Sequence, residues 1–403
     1  MGVPIMVLNQ YYAPDVASTG QIAAELCCAL VRHGFDVHVV TAQPSYTSFC
    51  PKAPYFEVQD NVHVYRVPIW GPKGREQLQV RLSGYIQFLC KGWWTARRLA
   101  RRVFPRHIIT FHNPPLVPLL GVYLARKHSA RFIYVLYDIH PDVLLATGWE
   151  LPRSVIQIWE QLNRRIFERA DAVVVLGEGM KQTLLGKGVS SSKVRVIPLW
   201  GRPELFPLPK DQALRSELGI GKEALVLLYA GNMGVMHPLE PLLDAAKSAA
   251  ALPVWFIFLG DGVKRQQLEV CAKSNSLLKV IFLPFQPEDR FIRFVSAADA
   301  CFVVLEPGLE KLALPSRTFT FLSAGKPIIA WMSPHAEVAT LVREKGCGWN
   351  VIDSEQLVNL IYHLIDNREQ IIAKGLKARQ VYEEKFSRDQ IITAYVQLLN
   401  SLG

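Results

Sequence analysis

The sequence predicts an α/β protein of two parallel-sheet domains that face each other across a cleft. Three observations predict it. Unbroken apolar runs such as "AVVVL" and "ACFVVL" recur along the 403 residues, and parallel strands covered on both faces read this way. Segments of helical length separate the runs, for example 20–33, 238–249 and 262–275, as crossover-linked strands require. The rhythm breaks once, at "IPLWGRPELFPLPKDQ" (197–212), which holds four prolines and a glycine, and then restarts.

In chain order, strands are expected near 5–9, 35–42, 62–68, 107–111, 131–137, 172–176 and 194–198. After the break they are expected near 224–230, 254–259, 280–284, 300–305 and 327–331. The domains are therefore placed at 1–200 and 201–385. The amphipathic segment "SRDQIITAYVQLLNSLG", with Ser387 as cap, makes 386–403 a C-terminal helix packing back on the first domain. Ligands of open α/β sheets bind outside the carboxyl ends of the strands, so the cleft is the expected site.

Half of the residues are hydrophobic and a fifth are charged, enough apolar material for sizeable cores. The seven cysteines (Cys27, Cys28, Cys50, Cys90, Cys271, Cys301, Cys347) are scattered with no CxxC pair, which fits reduced thiols rather than a disulfide framework or a zinc site. "PIMVLN" is too short for the apolar region of a signal peptide. The longest candidate span, 107–125, contains His107, His112, Asn113 and three prolines, too many polar groups for a membrane helix. The chain is thus expected to be cytoplasmic, lying on a membrane rather than in it. Residues 1–200 hold 23 Lys+Arg against 13 Asp+Glu, whereas 201–403 hold 22 of each. A basic first half suits an anionic partner.

Several segments carry candidate chemistry. In "YAGNMGVMHPLEPLL", an apolar strand ends at Ala230, Gly231 and Gly234 permit tight turns, and a helix is expected near Pro238. Amide groups at such a helix start attract anions, though an ordinary βα turn reads the same. "FLGDGVKRQQLE" repeats the pattern, with Gly260 and Gly262 able to admit a flat base or ribose, or Asp261 simply capping a helix. "LEPGLEKLALPSRTFTFLSAGKPIIAW" places Ser316 and Arg317 at the start of an apolar helix opened by Pro315 and closed by Gly325. A hydroxyl, a guanidinium and a helix start together suit a diphosphate. The long loop "NQYYAPDVASTG" leads to Gly20, and long βα loops tend to be functional. Asp138, His140 and Asp142 follow a strand in "VLYDIHPDVLLATG", where a carboxylate and an imidazole can orient or deprotonate a hydroxyl; His112 in "TFHNPPL" is a lesser candidate of the same kind. The residue types also permit a metal site there, although two Asp and one His on a turn make a poor motif. Finally, "RLSGYIQFLCKGWWTARRLARRVFPR" (81–106) mixes aromatics with Lys91, Trp93, Trp94, Arg97, Arg98, Arg101 and Arg102. It reads either as an interfacial helix on anionic lipid or as a domain helix with a solvated basic face. No nucleic-acid-binding motif accompanies the charge.

The order of these motifs, "YYAPD…STG", "HNPPL", "YDIHPD", "YAGNMG", "LGDG", "LPFQP" and "LPSRTFTFLSAGKPIIA", resembles the family 4 retaining glycosyltransferases of GT-B fold. It is most similar to the bacterial and cyanobacterial surface-polysaccharide branch, with its colanic acid and N-acetylfucosamine transferase-like members. The resemblance implies two Rossmann-like domains, a nucleotide-sugar donor on the second and an acceptor on the first. It implies no cofactor and no metal, with the departing diphosphate stabilised electrostatically and attack on the face it leaves. On this carry-over, Gly20 approaches the donor, Gly231, Asn232 and Gly234 line the diphosphate, and Ser316 and Arg317 grip it. Gly262, Leu283 and Phe285 surround the base, while Asp138 and His140 serve the acceptor. Of the family's two glutamates, Glu310 matches the first and Thr320 stands at the second, offering the ribose a hydroxyl instead. The usual Arg and Lys after the strand are replaced by Asn232 and, roughly, His237.

The resulting expectation is a metal-independent hexosyltransferase. Its donor would be a UDP-sugar, UDP-glucose first, and its acceptor a lipid-linked saccharide. It would work at the inner face of the cell membrane, against an anionic surface, with no nucleic-acid partner. The alternatives are a UDP-sugar 2-epimerase of the same fold and a non-catalytic relative acting as a scaffold.

Overall fold

The computed structural model describes residues 2–15, 17–46, 52–71 and 78–403. The chain divides into two compact units. The first takes the chain through Leu145, then Trp149–Ile197 and Ile392–Gly403; the second takes Ala146–Gly148 and Pro198–Ile391. The break thus falls three residues before the expected boundary. The terminal dozen residues, the end of the helix Arg388–Leu402, belong to the first unit.

The first unit holds one eight-stranded sheet made of β1 (Val3–Leu8), β2 (Phe35–Ala42), β3 (Phe56–Gln59), β4 (Val62–Val67), β5 (His107–Phe111), β6 (Arg131–Leu136), β7 (Ala172–Val175) and β8 (Val194–Val196). Their order is β3-β4-β2-β1-β5-β6-β7-β8, parallel except for the antiparallel β3–β4 pair. The second unit holds β9 (Leu225–Ala230), β10 (Val254–Leu259), β11 (Val280–Leu283), β12 (Ala300–Val304), β13 (Ile328–Trp331) and β14 (Gly348–Val351). Its order, β11-β10-β9-β12-β13-β14, is that of a doubly wound nucleotide-binding sheet. Every residue of β9 and β12 is buried, as their unbroken apolar sequences require.

Two strands were not expected. β3 is short and mostly exposed, so it lacks an apolar signature. Its signal is the turn that follows: Asp60 and Asn61 both have positive φ (49° and 62°), the conformation of a two-residue hairpin loop. β14 reads "GWNV" and is only half apolar.

The second core is stitched by a buried ion pair. Arg215 is fully buried and donates to Asp299 at 2.7 Å, to the Ala297 carbonyl and to the Ala224 carbonyl. Asp299 also accepts from Val226 N at 2.8 Å and pairs with Lys210 at 2.6 Å. Burial works against its charge, but Arg215 and Lys210 hold the carboxyl below its ordinary range.

The six described cysteines are unpaired and three of them (Cys27, Cys301, Cys347) are buried; Cys50 lies outside the described residues. Among those residues no helix is long and apolar enough to cross a membrane.

Candidate functional site

In the second unit the loops after β9 and β10 lock together. Gly231 N donates to Leu259 O at 2.9 Å, Met233 N to Asp261 O at 2.7 Å, and Lys264 N returns to Met233 O at 3.0 Å. The glycines make this approach possible. Gly262 has φ +148°, and a β-carbon there would stand 2.6 Å from both Met233 O and Asn232 Oδ1; one on Gly260 would collide with the Gly231 carbonyl. At Gly234 it would meet Asn232 Nδ2 at 2.6 Å. Leu283, ending β11, joins the same network by accepting from Gly260 N at 2.9 Å. Phe285, two residues on, is half-exposed.

Arg317 comes to this cradle from the helix Arg317–Ser323. Its Nε lies 3.8 Å from where a β-carbon of Gly231 would stand, and its guanidinium lies over the Phe291 ring, 5.2 Å from the centroid. Tyr229 completes the wall and donates to the Asn232 carbonyl at 2.6 Å. Burial raises the Tyr229 phenol well above its ordinary pKa, against the pull of Arg317, so it stays a neutral donor. The helix ends as its sequence predicts: Gly325 takes φ +64°, Lys326 N bonds Phe321 O and Gly325 N bonds Leu322 O, a paired left-handed stop.

In the first unit, residues past the carboxyl ends of β5 and β6 meet. His112, almost fully buried, approaches Asp138 Oδ2 through Nε2 at 3.1 Å, and Asn113 Nδ2 lies 3.1 Å from the same nitrogen. The His140 ring lies 6.4 Å from that of His112 and 6.1 Å from Trp159. Asn163 holds the His140 carbonyl at 2.6 Å. This arrangement can orient a hydroxyl and accept its proton.

Residues 19–200 match the glycosyl transferase 4-like domain family. The chain is 26% identical over 356 residues to a protein of Escherichia coli K12 assigned to glycosyl transfer in colanic acid biosynthesis, covering 84% of this chain and 85% of that one. Among solved structures it is similar to the sucrose-phosphate synthase of Thermosynechococcus elongatus (TM-score 0.78, 17% identity, 99% and 98% of the two chains). It is also similar to Anabaena HepE in complex with UDP-glucose (TM-score 0.74, 16% identity, 99% of each chain). Residues 19–200 thus form a glycosyl transferase 4-like domain, and the chain has the GT-B fold.

Several expected site residues sit differently from their sequence reading. Thr320 is 7% exposed, so its hydroxyl offers little to a ribose. Glu310 turns back on its own loop, accepting from Gly308 N at 2.9 Å. Ser316 precedes the first helical residue and its side chain caps nothing; the helix has only seven residues because Pro315 and Ser316 form a turn ahead of it. At Gly20 a β-carbon would stand 3.0 Å from the backbone of Tyr11 and Tyr12, so this glycine serves packing inside the first unit. Asp142 pairs with Lys187 at 2.8 Å, which commits it to structure. The helix expected near Pro238 begins at Glu240.

The basic aromatic segment is one helix, Leu78–Val103, and its side chains divide. Lys91 is half-buried: it donates to Pro68 O at 2.8 Å and lies 3.5 Å over the Trp70 ring. Trp93 stacks on Tyr123 at 4.4 Å, and Arg97 is half-buried. Outward stand Leu82, Ile86 and Trp94 (64% exposed), then Arg98, Arg101 and Arg102.

Sequence reading missed Tyr229, Phe291 and Lys264 at the second-unit site. Lys264 donates to the His237 carbonyl and to Glu240, both at 3.0 Å. It thus stands beside His237, the position where the resemblance roughly implied a lysine. Only the "VKR" after the glycine turn hinted at it.

Proposed function

We propose that the protein is a glycosyltransferase that moves glucose from UDP-glucose to a lipid-linked saccharide acceptor during cell-surface polysaccharide synthesis, with retention of configuration. The observation that carries the proposal is Arg317 held beside the glycine cradle of Gly231, Asn232 and Gly262. A guanidinium beside a turn that glycines keep free of side chains suits a diphosphate leaving group, whose charge grows as its bond to the sugar breaks. Lys264 adds a second cation near the same loop. In this reading protein groups meet that charge without a bound metal. Leu283 and Phe285 supply the surface for the base. Asp138, His140 and, newly, His112 position the acceptor hydroxyl. The UDP-glucose complex of a structurally similar protein supports the donor assignment, and the colanic acid relative supports the pathway. The exposed face of the helix Leu78–Val103 would hold the enzyme at the anionic inner face of the cell membrane.

The test is calorimetric titration of wild type and Arg317→Ala with UDP, GDP and ADP and their glucose conjugates. Selective binding of the UDP compounds, weakened in the variant, is expected; absence of UDP binding would remove the donor assignment. Turnover restored only by added Mg²⁺ after chelation would overturn the metal-free reading.

A further inference from the structure

β2 and β4 run side by side with His38 opposite His63. Side chains alternate along a strand, so Asp36 and His38 project from one face. Asp36 Oδ1 consequently lies 3.1 Å from His38 Nε2 and 3.9 Å from His63 Nε2. One donor atom from each of the three residues falls within 4.8 Å of the others. The two imidazoles stack at 4.7 Å, with Phe56 and Tyr65 against them.

A second observation concerns His38 alone. Its side chain is only 9% exposed, yet neither ring nitrogen has a hydrogen-bond partner among the described residues. Its one close polar neighbour is Asp36, whose Oδ1 stands 3.1 Å from Nε2. A buried imidazole with no partner is unfavourable, and something normally satisfies it. Nitrogen and oxygen donors about 3.3 Å apart have the spacing of two ligands of one tetrahedral ion, given metal–ligand bonds of about 2.0–2.2 Å.

We propose that Asp36, His38 and His63 form a zinc site that clasps β2 to β4. Two imidazoles and one carboxylate favour a borderline first-row divalent ion over Mg²⁺ or Ca²⁺, which take oxygen ligands. The site is structural. It lies in the amino-terminal halves of its strands, whereas His112 and Asp138 follow the carboxyl ends of β5 and β6.

The experiment titrates the full chain, purified without a histidine tag, with Zn²⁺ alone against a chelating dye, and follows melting with and without Zn²⁺. Asp36→Asn and His63→Asn are the variants, because both positions are partly exposed and tolerate polar replacement. Wild type should bind one equivalent and melt higher with Zn²⁺. Each variant should lose at least tenfold in affinity and most of the melting shift. With Co²⁺ the wild type should show tetrahedral visible bands and no thiolate charge-transfer band. Unchanged affinity in both variants, a thiolate band, or no bound equivalent in wild type would each overturn the site.

Discussion

Arg317 and Gly231 meet: the arginine Nε stands 3.8 Å from the point a β-carbon on the glycine would occupy. The contact joins a residue that follows β9 to one nearly ninety positions later, and it sets the first prediction. Arg317→Ala should lower turnover at least a hundredfold, the usual loss for one preorganised donor to a developing anion. The melting temperature should stay within a few degrees, since Arg317 is not a core residue. Steady-state kinetics and a thermal melt check both.

Gly262→Ala should act through shape. A β-carbon at φ +148° meets Met233 O and Asn232 Oδ1 at 2.6 Å, so the loop must shift. The φ alone costs about 1–3 kcal/mol. UDP-sugar affinity is expected to fall at least tenfold by titration, while Gly221→Ala, where the added atom meets open space, should leave it unchanged.

Asp299→Ala should destabilise the second unit by about 3–5 kcal/mol, because it leaves Arg215 buried without its carboxylate. The pH dependence has a definite sign. Asp299 binds protons less readily folded than unfolded, so its contribution is present above about pH 4 and is lost as pH falls through the lower folded value. Denaturant melts from pH 6 to 3 should show the loss in wild type and a flatter profile in the variant.

His107 sets a second window. Burial, then the charges of Arg106 and Arg131, lower its pKa, against a smaller opposing pull from Asp171. The unfolded chain therefore binds a proton first. Stability is present above about pH 6.5 and declines as pH falls toward the folded value. His107→Gln should flatten the melting curve between pH 7 and 5.5.

Membrane binding should depend on which face of the helix Leu78–Val103 is changed. Replacing Arg98, Arg101 and Arg102 together with Gln should weaken binding to anionic vesicles roughly a hundredfold, at about 1 kcal/mol per basic residue. Lys91→Gln should have little effect, because its ammonium is occupied by Pro68 O and the Trp70 ring. Vesicle flotation at low salt measures both, and equal loss in the two would contradict an exposed arginine face.

Local features were legible in the chain itself. Unbroken apolar runs marked nearly all the parallel strands, and Gly325 followed by Pro327 marked the end of a helix, because these signals depend on near neighbours. Glycines after β9 and β10 announced close backbone approach, and the sequence marked Arg317 as a candidate for binding an anion. Side-chain direction was less accessible: Trp93 and Trp94 are adjacent, yet one packs on Tyr123 and the other faces out, since successive helical residues point about 100° apart. Lys264 beside His237 and Phe291 under Arg317 were invisible, because each contact spans tens of residues. The same holds for Asp36, His38 and His63. The sequence by itself determined the strands that carry them; only the tertiary structure decided that β4 lies beside β2 in the register that sets His63 opposite His38, because strand neighbours are chosen by packing of the whole sheet rather than by any local signal.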